Sequence, residues 1–163
     1  MKILNESQIR QKIRRLAIEI LEKNSDSKSI ILAGINNKGY AFAELIKTEI
    51  KAFSAIPVII TRIKLNPADP LSQEVTIETP FEQLDKKNII IVDDVANTGR
   101  TLYFAMKPLF KILPKKIEVA VLVDRMHKSF PIHVDYVGLS LSTTMEENIE
   151  VNLSESEWSV DLN

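Results

Sequence analysis

Asn88-Ile89-Ile90-Ile91-Val92-Asp93-Asp94-Val95-Ala96-Asn97-Thr98-Gly99-Arg100-Thr101 is the stretch whose reading decides the fold. Four consecutive branched aliphatics mark a strand buried on both faces, as strands of a parallel sheet are. Two carboxylates follow at its end, then a short polar loop of small residues, then a helical pattern beginning near Arg100. Backbone N–H groups of such a loop, with a helix start behind them, can hold a phosphate. Paired aspartates can accept hydrogen bonds from vicinal hydroxyls or face a divalent cation. Acids alone at a strand end say little, because loops are wet. Joined to Thr98-Gly99-Arg100-Thr101, they describe a site for a phosphorylated, polyhydroxylated ligand.

The same unit recurs upstream. Ile30-Ile31-Leu32-Ala33-Gly34-Ile35 reads as a buried strand, Asn36-Asn37-Lys38-Gly39 as a polar loop, and the residues from Tyr40 onward as a helix. Asn5 and Gln8 make a capping box for an earlier helix running to about Lys23, with Ile9, Ile13, Leu16, Ala17 and Ile20 facing the core. Its other side carries Arg10, Lys12, Arg14 and Arg15, a solvated surface or an RNA contact. Residues 57–63 and 117–123 supply further strands, and residues 102–113 a helix that Pro108 kinks or breaks early and Pro114 ends. Two prolines and no periodicity make residues 64–72 a loop, and Val75 and Ile77 a short half-exposed strand returning from it. Alternating strands and helices predict an α/β fold with a parallel sheet covered on both faces. Ligands then belong at the carboxyl ends of the strands, where residues 36–39, 93–101 and 124–127 fall. The tail alternates like two strands around a Ser–Glu turn, with Trp158 as an anchor against the body or a second subunit.

Composition excludes several classes. At 163 residues, 45% hydrophobic and 26% charged, the chain reads as one globular domain over residues 1–163. No apolar run approaches membrane-spanning length and the N-terminus lacks a secretory apolar stretch, so a cytoplasmic protein without membrane contact is expected. Without cysteine there is no disulfide, thiol nucleophile or thiolate metal site, and two histidines argue against a histidine-rich centre. Residues 129–163 hold seven of the 22 acids and no Lys or Arg, which leaves 21 basic against 15 acidic residues in the first 128. A body with that surplus of six suits an anionic substrate or a nucleic acid.

The central stretch resembles the signature of the phosphoribosyltransferases, enzymes that use 5-phosphoribosyl pyrophosphate (PRPP). Val121-Leu122-Val123-Asp124-Arg125-Met126-His127 with Pro131-Ile132 and Asp135-Tyr136-Val137-Gly138 narrows the resemblance. Those residues look like the pyrimidine-operon regulatory proteins that also have uracil phosphoribosyltransferase activity, over roughly residues 5–153. The resemblance implies the Rossmann-like phosphoribosyltransferase fold, with a flexible flap at about residues 64–78 and a small β hood ending in a hairpin at about 148–162. It implies PRPP and a nucleobase, uracil first, as substrates, Mg²⁺ as cofactor and a homo-oligomer of two or more chains. Asp93, Asp94 and Lys38 take the catalytic places, with Mg²⁺ held through the substrate and by Asp93 or Asp94. Asn36, Asn37, Gly39, Val95, Ala96, Asn97, Thr98, Gly99, Arg100 and Thr101 take the PRPP-binding places. Asp124, Arg125, Met126 and His127 take the base-binding places, and Arg14, Arg15 and Lys128 stand as RNA contacts.

The chain departs from that family's pattern. Lys38 stands where Arg is usual and keeps the charge without the bidentate fork. Met126 replaces Gly, Leu139-Ser140 replaces Lys-Asn, and Lys128 and His133 occupy Arg positions. Most of these changes soften the RNA face, where phosphate neutralisation supplies affinity. Enzyme therefore ranks above regulator. The alternatives are a UMP-sensing RNA-binding attenuator with little catalysis, and a purine phosphoribosyltransferase. A phosphoacceptor receiver domain draws its acids from its first strand and fits poorly.

Overall fold

The computed structural model describes residues 1–154 and 156–163, so Glu155 of the expected tail turn lies outside the described residues. Element order is β1 (Lys2–Leu4), α1 (Glu6–Lys23), β2 (Ile30–Ile35), α2 (Asn36–Phe53), β3 (Val58–Lys64), β4 (Thr76–Ile77), β5 (Asn88–Ala96), α3 (Arg100–Ala105), β6 (Lys116–Arg125), β7 (Tyr136–Leu141), β8 (Ile149–Asn152) and β9 (Ser159–Leu162). Six strands form one sheet in the order β4-β3-β2-β5-β6-β7, parallel except for β4. This is the α/β architecture, with a largely parallel sheet, that the alternation of strands and helices predicts.

Side-chain alternation along the central strands divides the core in two. Ile30, Leu32, Ile90, Val92, Ala120 and Leu122 face α1 and α2. Ile31, Ala33, Ile89, Ile91, Val119 and Val121 face the other way, with Leu102 and Ala105 of α3. Burial on both faces explains why these strands read as unbroken aliphatic runs. The capping box of α1 is complete: Asn5 accepts from the Gln8 N–H, and the Gln8 side chain accepts from the Asn5 N–H.

Several boundaries differ from the sequence pattern. Residues 36–39, expected as a loop, form the first turn of α2 directly after β2. Asn36 makes that junction with φ 53°, a dihedral that asparagine tolerates better than most residues. Strand β5 does not end at the acids but runs to Ala96, and β6 runs to Arg125, so Asp124 and Arg125 are strand residues. Parallel pairing of β5 with β6 as far as Ala96 and Asp124 holds both extensions. The helix expected over 102–113 is only α3, followed by a 3₁₀ turn at Lys107–Lys111 with Pro108 in it. No helix joins β6 to β7, where strict alternation predicts one.

A second sheet, β1-β9-β8, is antiparallel and forms a hood over the strand ends. Pairing of Lys2–Leu4 within it has no local signal in three residues. Val151 and Val160 of this hood belong to the same apolar cluster as α1 and α2. The Arg10 guanidinium stacks 4.0 Å over the Trp158 ring, which fixes the tail against the body. Among the described residues no helix is long and apolar enough to cross a membrane.

At the amino ends of the strands a buried polar network closes the sheet. Asn24, 1% exposed, donates to the Ile20 carbonyl (2.8 Å) and the Tyr136 hydroxyl (3.3 Å) and accepts from Asn88 (3.2 Å). Tyr136 in turn donates to Glu118 at 3.0 Å. Asn24→Ala removes three hydrogen bonds, but the Ile20 carbonyl keeps the residue-24 N–H, Tyr136 keeps Glu118 and Asn88 keeps Ser27, so a loss of about 1–2 kcal/mol is expected, read by urea denaturation.

Candidate functional site

Strands β2, β5 and β6 are adjacent, and their carboxyl ends bring residues 36–39, 93–101 and 124–128 to one edge of the sheet. The β2 contribution depends on close approach. A Cβ on Gly39 would stand 2.5 Å from the Val92 carbonyl oxygen, and one on Gly34 2.5 Å from Cα of Tyr40. Only with hydrogen at both positions can the first turn of α2 lie against the backbone of β2 and β5. That contact carries Asn37 and Lys38 to the acids.

Asp93 is buried, 8% exposed, and Asp94 is half-buried. An Asp93 carboxylate oxygen accepts the Asp94 N–H (2.9 Å), and one of Asp94 accepts the Val95 N–H (2.9 Å). Burial, and then the neighbouring Asp94 charge, push the Asp93 carboxyl well above its ordinary range, while Lys38 pulls it back. Asp94 shares a cavity of about 290 Å³ with Asn37 and Lys38 on one side and Val151, Asn152 and Leu153 of the hood on the other. The hood residues carry no sequence motif, and only the tertiary pairing of β8 brings them here.

Beyond β5 the chain turns through residues 97–99. Gly99 has φ 89°, the left-handed region that a side chain strains. The Thr98 hydroxyl accepts the Arg100 N–H (3.3 Å). Residues 95–101 line a cavity of about 610 Å³ with Pro67, Ser129 and Phe130. Because α3 has six residues, its dipole adds little, and any attraction for an anion here would come from the loop's own amides. Pro67 enters from the loop between β3 and β4, where Arg100 Nη2 donates to its carbonyl (2.7 Å).

The end of β6 is stitched to this loop. Lys128 Nζ donates to Asp124 Oδ1 (2.6 Å), the Asn97 carbonyl (2.9 Å) and the Arg125 carbonyl (2.6 Å). Expected as an RNA contact, Lys128 here has its ammonium on three oxygens, two of them three and four residues back and the third on Asn97, 31 residues earlier. Arg125 donates to Asn97 Oδ1 (3.1 Å), Thr143 Oγ1 (2.8 Å) and the Thr144 carbonyl (2.9 Å). His127 Nε2 meets the Thr143 carbonyl at 2.5 Å, and Met126 is largely exposed. Arg14 and Arg15 lie on the exposed side of α1, and neither lines the two cavities. Asn36 is at the edge too, but its side chain is bonded to Leu65.

Among the described residues no three His, Cys, Asp or Glu side chains converge as a metal cage. The two aspartates are hard oxygen donors in number and kind suited to one Mg²⁺ completed by ligand oxygens and water.

A phosphoribosyl transferase domain model matches residues 2–156. The chain is 35% identical over 162 residues to the Bifunctional protein PyrR of Bacillus pumilus, across 94% of this chain and 90% of that protein. It is 33% identical over 157 residues to the Pyrimidine operon regulatory protein of Lactococcus lactis, with the same coverage, 94% and 90%. A hypoxanthine-guanine phosphoribosyltransferase of Bacillus anthracis, solved with HEPES in its active site, matches with TM-score 0.76 at 21% identity, over 99% of this chain and 96% of that one. The hypoxanthine phosphoribosyltransferase of Trypanosoma cruzi matches with TM-score 0.73 at 19% identity, over 86% and 81%. At those identities the two structures show a shared fold alone.

Proposed function

The chain belongs to the phosphoribosyltransferase family, and from that premise we propose that it transfers the 5-phosphoribosyl group of PRPP to N1 of uracil, giving UMP and pyrophosphate. The observation that carries this reading is the position of Asp94, which lines the cavity holding Lys38 and is next in sequence to residues 95–101 that line the other, with Asp93 buried beside it. A sugar lying over the acids would reach one cavity with its 5-phosphate and the other with its pyrophosphate.

Each group then has a task set by charge. As the bond to pyrophosphate breaks, positive charge grows on the sugar and negative charge on the leaving group. Asp93 and Asp94 would hold the ribose 2- and 3-hydroxyls and favour the developing cation. Lys38 and the backbone of residues 36–39 would stabilise the departing pyrophosphate. Amides of residues 96–101 would fix the 5-phosphate and so orient the anomeric carbon toward the base. Arg125 and Lys128 are occupied with the loops around them, which leaves backbone groups near Asp124, Met126 and His127 to read the base edge. Attack by the base nitrogen opposite the leaving group breaks the bond to pyrophosphate and inverts the anomeric carbon with no covalent enzyme intermediate, and the N1 proton passes to water or to the departing pyrophosphate. Mg²⁺, held by the Asp93 or Asp94 carboxylate and substrate oxygens, would supply further charge neutralisation on the pyrophosphate. The same reading makes the protein a cytoplasmic assembly of two or more copies.

A panel of bases with PRPP and Mg²⁺, scored by pyrophosphate release, tests the proposal. Uracil is expected to exceed hypoxanthine, guanine and adenine by roughly a hundredfold or more, since a site built to hydrogen-bond one edge rejects the wrong one. Preference for a purine would remove the pyrimidine assignment, and no release with any base would remove the transfer itself.

A second reading, an RNA-binding attenuator that senses UMP, draws on the exposed Arg14 and Arg15 of α1 and on the name of the Lactococcus relative. With Lys128 turned inward it keeps fewer cations for a phosphate backbone, and we rank it second.

A further inference from the structure

We propose that Asn36 is a positioning residue, one that pins the root of the loop between β3 and β4 to the turn holding Lys38, so that the loop closes over PRPP from a fixed base. The inference rests on the function proposed above and concerns what its pyrophosphate side is attached to.

The parallel ladder between β2 and β3 reaches Ile35 opposite Ile63. At the next residue the β2 backbone leaves the sheet for α2, and the pairing would stop there. Asn36 instead donates from Nδ2 to the Leu65 carbonyl (2.9 Å) and accepts the Leu65 N–H at Oδ1 (3.1 Å). A carboxamide carries the same donor and acceptor as a peptide group, so the side chain extends the ladder after the main chain has turned away. Two requirements meet at this position: a side chain with both a donor and an acceptor, and tolerance of φ 53°. Asparagine satisfies both. Aspartate lacks the donor, and glycine lacks the amide.

What the clamp holds is the start of the proposed flap. Leu65 is itself buried, and two residues later the Pro67 carbonyl accepts from Arg100 across the 610 Å³ cavity. Val75, at the far end of the loop, is buried in the same apolar cluster as Leu65. The segment between them is thus rooted at both ends, and its first root is bonded to the turn that faces the leaving pyrophosphate. Asn36 acts on the reaction through the loop, because its amide is already engaged with Leu65.

Asn36→Gly keeps the backbone conformation and deletes the clamp, whereas Asn36→Asp keeps the shape and sets an oxygen against the Leu65 carbonyl. Amide exchange at Leu65 in the ligand-free protein is expected to quicken roughly tenfold or more in both, as the loss of one or two neutral hydrogen bonds implies. With PRPP, both are expected to raise KM roughly tenfold, change kcat less, and raise the share of PRPP lost to water relative to base transfer. Should Asn36→Asp fail to fold, Asn36→Gly alone carries the comparison. Unchanged exchange at Leu65 in the folded variant overturns the clamp. Faster exchange with an unaltered KM and hydrolysis share, in an enzyme whose wild type is active, overturns the positioning role alone. A wild-type protein that consumes no PRPP overturns the function, and the role with it, whatever the exchange shows.

Discussion

Asparagine at both Asp93 and Asp94 is expected to cut PRPP turnover by roughly a thousandfold, and each single change by roughly a hundredfold. The argument is one of charge rather than shape. Asparagine at 93 retains an oxygen to accept the Asp94 N–H, and asparagine at 94 retains one for the Val95 N–H. The loop that follows therefore keeps its support. What disappears is the negative charge that faces a sugar becoming cationic, the interaction that strengthens in the transition state. The two losses are coupled, because the acids are sequence neighbours and the Asp94 charge raises the Asp93 carboxyl. Pyrophosphate release measures the effect, and near-normal rates in both single variants would refute the assignment of the sugar to this pair.

A second measurement on Asp93→Asn separates a damaged fold from a damaged site. The Asp93 carboxyl is raised in the folded protein by burial and by Asp94. In the unfolded chain it titrates near its ordinary 3.8. An acid raised on folding lends stability that is fully present below the unfolded value and is lost as pH climbs through the folded one. At neutral pH a charge at this position therefore works against the fold. Asp93→Asn is expected to raise the thermal midpoint at pH 7 and to flatten its fall with rising pH, while activity collapses. A lower midpoint at pH 7 would show that Asp93 is held by interactions stronger than its burial opposes.

Gly39→Ala is the change expected to cost most in stability, about 3 kcal/mol or more. Its added carbon would meet the Val92 carbonyl oxygen at 2.5 Å and the Gly34 carbonyl carbon at 3.2 Å. Both are main-chain atoms of central strands held on each side by neighbours, and neither can rotate away as a side chain would. The first turn of α2 has to lift instead, drawing Asn37 and Lys38 away from Asp94. The thermal midpoint should fall by about 10 °C, and the residual folded protein should turn over PRPP more slowly. An alanine variant with the midpoint of the wild type would mean that the turn is seated more loosely than its position between β2 and β5 implies.

The parts of this fold that can be read from the chain are those whose cause is local. Ile30 to Ile35, Ile89 to Val92 and Val119 to Val123 announce buried strands because each residue on either face needs a hydrophobic neighbour. Asn5 and Gln8 announce a helix because both halves of the cap lie within one turn. Asp93, Asp94 and the Thr98-Gly99-Arg100 loop are legible because one strand and one turn set them all. Elsewhere the cause is distant. Residues 36–39 look like a loop until the close approach to Val92 makes a helical turn the compact solution. Lys128 looks like a surface cation until Asn97, 31 residues earlier, offers its carbonyl. The hood strand beside Asp94 depends on β9 and β1, and three residues such as Lys2–Leu4 have too little pattern to declare a partner near the other end of the chain.

That partnership has a bearing on the order in which the molecule can be made. The Met1 amino group reaches the Leu162 carbonyl, a separation of 161 residues, and β1 pairs with β9 rather than with anything synthesised near it. A nascent chain leaving the ribosome can assemble the main sheet through β7 while its first strand still waits without a mate. The roof above Asp94 is consequently the last part to be laid, and the protein acquires its enclosed site only after translation has passed residue 162.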